Sequence, residues 1–192
     1  MNKIIQSIVT AGALAGIAVV ASAQMAQPKN LNLAKESKIW IEGTSTMKAF
    51  SCTASKVDVS VSSEPGSAPN ELVQSASLII PVASLDCKNG TMNSHMRKAL
   101  KAANNPQISW KMSSYRVAGT DVVIKGLLSI AGTEKAMELT ATGNADNNGT
   151  IRIKGSTKFK MSEYGVKPPS LMLGSMKVSD PITVGFDLLL TP

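Results

Sequence analysis

Few side chains in this sequence are suited to chemistry: one histidine, His95, and two cysteines, Cys52 and Cys87. A histidine acts as a general base when a nucleophile lies within hydrogen-bond reach and a carboxylate orients its ring. No serine stands in a G-x-S-x-G turn, so Cys87 with His95 is the other nucleophile and base pair to weigh. A cysteine in an exported chain is oxidised more readily than it is kept as a thiolate. No catalytic residue is assigned, and the chain is not expected to be an enzyme.

The two cysteines close the stretches Phe50-Ser51-Cys52 and Ser84-Leu85-Asp86-Cys87. An even pair in an oxidising compartment reads as a disulfide. The alternatives are a redox thiol pair and half of a metal site. There is no C-x-x-C motif, and Zn²⁺ asks for four ligands where the obvious supply is Cys52, Cys87 and His95. No metal and no cofactor is expected.

The compartment is read from the first residues. Met1 to Ala23 carries Lys3, an apolar run from Ala11 to Val20, and the A-x-A sequence Ala21-Ser22-Ala23. This pattern predicts a cleaved signal peptide over residues 1–23 and a periplasmic or secreted protein. Gln6, Ser7 and Thr10 interrupt the stretch, which falls short of the roughly 20 apolar residues of a spanning helix. Residues 24–37 are polar and aperiodic and read as a flexible leader, leaving residues 38–192 as one domain.

The chain carries a net charge of +7, and Lys3 is the only charge lost with the leader. The excess does not indicate nucleic acid, because the cations are spread along strands rather than gathered on a helix. Arg152, Lys154, Lys158 and Lys160 alternate with Ile151, Ile153, Phe159 and Met161. Such a face is either a solvated strand surface or a site of peripheral contact with an anionic membrane. A homodimer is the other association considered.

The elements that position these residues follow from hydrophobic periodicity. Val122, Ile124, Leu128 and Ile130 recur at intervals of two; Gly132-Thr133 interrupts, and Met137, Leu139 and Ala141 resume, which predicts a central hairpin. The same alternation marks strands over 38–42, 56–62, 72–80, 107–117 with a bulge near Ser113-Ser114, 150–161 and 181–190. Pro65, Gly66 and Pro69 mark a turn-rich loop between the second and third strands, and residues 146–149 mark a turn. Only residues 92–103 change period: Met92, Met96, Ala99, Leu100 and Ala103 fall at helical spacing, with Thr91 or Asn93 as cap and Asn104-Asn105-Pro106 as stop. The prediction is all-β: an eight-stranded antiparallel barrel with one short helix covering an open end. The connection from Ser162 to Asp180 is long enough for a lid, or else docks its apolar residues outside the barrel.

The inward faces of these strands carry Ile108, Trp110, Met112, Leu128, Ile130, Met137, Leu139, Ile151, Ile153, Phe159, Met161, Val184 and Phe186. Aromatic residues make up only 4% of the chain, so little bulk is available to plug the interior, and methionine adapts to apolar guests. A solid core is the competing reading.

Two segments resemble the YceI-like family of exported, lipocalin-like barrels. Gly126-Leu-Leu-Ser-Ile-Ala-Gly-Thr-Glu-Lys-Ala-Met-Glu-Leu139 is similar to the family's G-x-L-x-I-x-G-x-T-K-x-v-x-L signature, and Asn105-Pro-Gln-Ile-Ser-Trp110 to its Y-P-x-I-x-F segment. Ser94-His95-Met96 resembles the family's helix motif. Thr133-Glu134-Lys135 departs from the usual order in the turn, Trp110 stands where Phe is common, and the cysteine pair looks like the mark of a subgroup. The resemblance covers residues 38–191 and implies a long hydrophobic tunnel that binds polyisoprenoid lipids without catalysis, with His95 near its mouth.

The expected function is an exported carrier or buffer of a polyisoprenoid or similar amphiphilic lipid. The expected ligand-binding residues are Trp110, Met112, Leu128, Ile130, Met137, Leu139, Ile153, Phe159, Met161 and Phe186, with His95, Met96 and Met172 closing the mouth. His95, Lys98 and Lys167 are the groups expected to meet a polar headgroup. The alternative is a solid-cored periplasmic interaction or stress-response protein without bound lipid.

Overall fold

The computed structural model describes residues 29–64, 72–171 and 175–192. The signal peptide, the loop prolines Pro65 and Pro69, and Met172 lie outside the described residues. The strands are β1 (Lys29–Leu33), β2 (Lys38–Thr44), β3 (Ala49–Ala54), β4 (Asp58–Ser63), β5 (Val73–Pro81), β6 (Leu85–Asp86), β7 (Gln107–Ala118), β8 (Asp121–Ile130), β9 (Thr133–Ala145), β10 (Ile151–Lys160), β11 (Ser170–Leu171), β12 (Met176–Lys177) and β13 (Pro181–Thr191). Helix α1 spans Gly90–Ala99.

Pairing shows how these pieces make eight barrel positions. Both β1 and β2 lie along the same edge of β13, with Leu33 opposite Leu190 and Lys38 opposite Asp187, so residues 29–44 act as one interrupted strand. Across from them β4 pairs with β1 and β3 with β2, so residues 49–63 form a second interrupted strand. From there β5, β7, β8, β9, β10 and β13 follow as antiparallel neighbours in sequence order, and β13 meets β1 to close the ring. Closure leaves no long unpaired edge. The bulge expected near Ser113-Ser114 appears as a register shift between Met112 and Ser114.

Three expectations are corrected. The ordered sheet begins at Lys29, so the flexible leader assigned to residues 24–37 is a strand over Lys29–Leu33; its L-N-L alternation is too short to stand out, yet Leu31 is buried against Val61 and Leu190. Residues 24–28 lie outside the described residues. β3 has no aliphatic alternation and was not anticipated; Phe50 and Cys52 occupy its inward face in place of branched residues. The helix runs Gly90–Ala99 instead of 92–103. Its cap is Asn89, whose side chain accepts from the Met92 N–H at 2.9 Å, while the Asn93 side chain accepts from the Cys87 N–H at 2.8 Å and donates to Asp86. Lys101, at φ 52°, has left the helical region and ends it before Pro106 is reached.

The long connection after β10 folds inward. A 3₁₀ turn over Met161–Tyr164 buries Tyr164, and Val166 is 2% exposed. Both join Ile39, Ile80, Val82, Leu85, Ile108, Leu128 and Ile130 in a packed cluster at the barrel end that carries α1, where Met96, Ala99 and Leu100 rest on it. A smaller cluster of Leu31, Val61 and Leu190 sits at the opposite end, with Leu33, Val59, Val73, Ala76 and Ile151 against it. Between the two clusters the barrel is not filled. β10 shows this best: its inward positions Ile151, Ile153, Thr157 and Phe159 are all only half-buried, because the surface they expose faces an internal space.

Candidate binding cavity

That space is a cavity of about 900 Å³. Ligand pockets for small molecules run to about 300–1,000 Å³, so this one lies at the upper end. Its wall contains Trp110, Met112, Leu128, Ile130, Met137, Leu139, Ile153, Phe159, Met161 and Phe186 from the strands, and His95 and Met96 from α1. Met172 lies outside the described residues. The alternation of each strand brings these side chains together, one from every second residue.

Sequence reading missed part of the wall. Met47, Lys48 and Phe50 reach it from the β2–β3 hairpin, Tyr115 from β7, and Tyr164, Val166 and Met176 from the long connection. The alternation of Lys48, Phe50 and Cys52 is the signal that could have revealed the hairpin's contribution. Conversely, Lys98 and Lys167 are not on the wall. Lys98 lies on the outer flank of α1 with Arg97 and Lys101, turned away from the stripe of Met92, Met96 and Ala99 by helical geometry. Lys167 is exposed, while its neighbour Val166 takes the inward position.

Aromatic side chains line the cavity without blocking it, because glycines accept them. A Cβ on Gly155 would lie 2.7 Å from Cζ of Phe186, directly across the β10–β13 pair, and one on Gly126 would lie 2.6 Å from Nε1 of Trp110. The rings therefore lie along the wall over bare backbone. For Trp110 the arrangement has a cost: its indole N–H is buried with no hydrogen-bond acceptor. Tyr164 packs its ring edge against Phe159 at 5.3 Å, and burial, reinforced by Glu163, pushes its hydroxyl pKa up.

Helix α1 forms one end of the cavity. None of its residues is fully buried, so apolar packing alone holds it weakly. Cys52 of β3 and Cys87, just ahead of the helix, form a disulfide, and the Cys87 sulfur touches that of Met96 at 3.9 Å. Among the described residues no group of three His, Cys, Asp or Glu side chains could hold a metal ion.

Charge is distributed unevenly between wall and surface. Among the described residues the wall has no Asp or Glu, and its only Lys, Arg or His side chains are Lys48 and His95. On the outer face Arg152 donates two hydrogen bonds to Asp187, both at 2.9 Å, and Lys154 approaches the same carboxylate at 3.1 Å. These bonds, led by that of Arg152, hold the Asp187 pKa down to about 2.

A family profile described as a YceI-like domain matches residues 32–190. The fold is similar to BcnA of Burkholderia cenocepacia, with a TM-score of 0.70 and 21% identity over 82% of this chain and 99% of that one. It is also similar to a polyisoprenoid binding domain of Saccharophagus degradans implicated in plant cell wall breakdown (TM-score 0.63, 14% identity, 84% of this chain and 97% of that one). The Campylobacter jejuni YCEI protein has a TM-score of 0.59 and 20% identity, covering 72% of this chain and 82% of that one. Among curated protein sequences, none matches this chain.

Proposed function

Because the chain belongs to the YceI-like family, matched over residues 32–190, we propose that it is an exported protein that holds a long apolar chain of polyisoprenoid type in its barrel, as carrier or buffer. The observation that carries this reading is the cavity of about 900 Å³ between two packed ends, walled by aliphatic, methionine and aromatic side chains. The similar Saccharophagus degradans domain binds polyisoprenoid, which supports the class of chain. Each buried CH₂ contributes about 0.8 kcal/mol, so a tail of about 20 carbons gives about 16 kcal/mol, more than the roughly 4–15 kcal/mol cost of association. The disulfide supports export, since such bonds persist where thiols are not kept reduced. The protein acts by binding rather than catalysis, and the exposed cations of β10 bring it to the anionic membrane surfaces from which such a lipid is loaded.

The test is organic extraction of protein purified without detergent from its native source, followed by mass spectrometry. A long-chain lipid in near-stoichiometric amount is expected. A lipid-free extract, together with failure of the purified protein to take up an added isoprenoid alcohol, would overturn the reading.

A further inference from the structure

The lining of the cavity differs in charge between its two ends. At one end the exposed wall residues are Gly119, Asn144 and Ala145, all neutral. At the other, Met47 and Lys48 of the β2–β3 hairpin share the wall with Asn89, the cap of α1, and with Thr91 and His95 of the helix. The disulfide brings these two elements together: Lys48 lies four residues along the chain from Cys52, on the same side of β3, and His95 adjoins Met96, which touches Cys87. The ion pairs among the described residues engage Lys56, Lys88, Lys125, Arg152 and Lys154, leaving Lys48 and His95 without an acidic partner.

From this asymmetry we propose that the ligand is an anionic amphiphile whose carboxylate or phosphate monoester head lies at the Lys48–His95 mouth while its tail runs toward the neutral end. The inference rests on the carrier reading and deepens it. A purely neutral guest gives an apolar tunnel no reason to place its only basic side chains, Lys48 and His95, at one end and no acidic side chain on its wall among the described residues. Lys48, just ahead of β3, and Phe50 and Cys52 on it line the wall at successive alternate positions, so the cation stands at the rim and the apolar wall begins two residues further along. A head held there keeps contact with water and avoids the cost of burying a charge. Lys48 and His95 give it charge-assisted hydrogen bonds, while the tail supplies most of the affinity.

The experiment compares paired ligands that differ only in the head: palmitate against hexadecanol, and geranylgeranyl phosphate against geranylgeraniol, titrated calorimetrically into delipidated protein. Each anion is expected to bind about three- to tenfold tighter than its alcohol at low salt, as for one or two partly exposed ion pairs. The preference should fall toward one in about 1 M salt, where the Debye length is about 3 Å, and in Lys48→Gln and His95→Gln variants. Lys111→Gln, exposed on the outer face of β7, should leave it intact. A preference for palmitate alone identifies a carboxylate head, and for geranylgeranyl phosphate alone a phosphate head. Equal binding of anion and alcohol, or a preference that survives both high salt and both mouth substitutions, would overturn this proposal alone. Failure of all four ligands to bind would overturn the carrier reading with it.

Discussion

Trp110 spans the wall of the cavity over Gly126, with its indole N–H buried and unpaired. A buried donor without an acceptor costs about 1–3 kcal/mol, which offsets what the larger ring gains over phenylalanine. Trp110→Phe is therefore expected to change the unfolding free energy by less than about 1 kcal/mol, measured by urea denaturation. A loss well beyond that would mean that the N–H has an acceptor. At Gly155 the expectation is the reverse. An added side chain would meet Phe186, the Ala141 Cβ at 3.0 Å and the Thr140 carbonyl at 3.1 Å, so Gly155→Val should cost about 1–3 kcal/mol and push Phe186 into the cavity. The inward orientation of Trp110 and Phe186 was legible from strand alternation. Their dependence on a glycine across the sheet was not, because it is set by register rather than by local sequence.

At the scale of elements, two devices hold pieces that sequence pattern alone does not fix. The disulfide closes a loop with a sequence separation of 35 and ties α1 to β3; its removal by Cys52→Ala with Cys87→Ala should cost about 3–4 kcal/mol in the chain-entropy account. A denaturation midpoint that does not move would show that the helix is held by packing alone. The Arg152–Asp187–Lys154 group joins β10 to β13 where Lys154 and Asp187 stand opposite. The Asp187 carboxylate has a pKa of about 2 in the fold, below the roughly 3.9 of an unfolded aspartate. Its contribution is complete above the unfolded value and is lost as pH falls through the folded one. Asp187→Asn is expected to lower stability by about 1 kcal/mol at neutral pH and by only a small part of that near pH 2, read from denaturation curves at both. The pairing of cysteines was legible from number and compartment. The strands at 29–33 and 49–54 were not: the first is short and draws its order from Leu190, far along the chain, and the second pairs locally with β2 but carries no aliphatic alternation.

For the whole molecule, the question that periodicity could not answer is how full the barrel is. Alternation fixes which side chains point inward, but an empty middle depends on where apolar volume gathers, and here it gathers at the two ends. That difference can be measured with one substitution made in two places. Leu139 stands opposite Ile124 on the β8–β9 hairpin and remains half-buried at the cavity wall, whereas Ile130 is 7% exposed within the packed cluster under α1. Leu139→Trp should find space and change stability by less than about 1 kcal/mol, while Ile130→Trp overpacks its site and should cost about 1–3 kcal/mol. A filled barrel would penalise both alike. The two variants should also differ in binding: tryptophan at position 139 occupies volume that the tail would use, so affinity for geranylgeraniol should fall more than affinity for a shorter prenyl alcohol. Equal loss for the two chain lengths would mean that the tail does not run past Leu139, and that the guest occupies only the mouth.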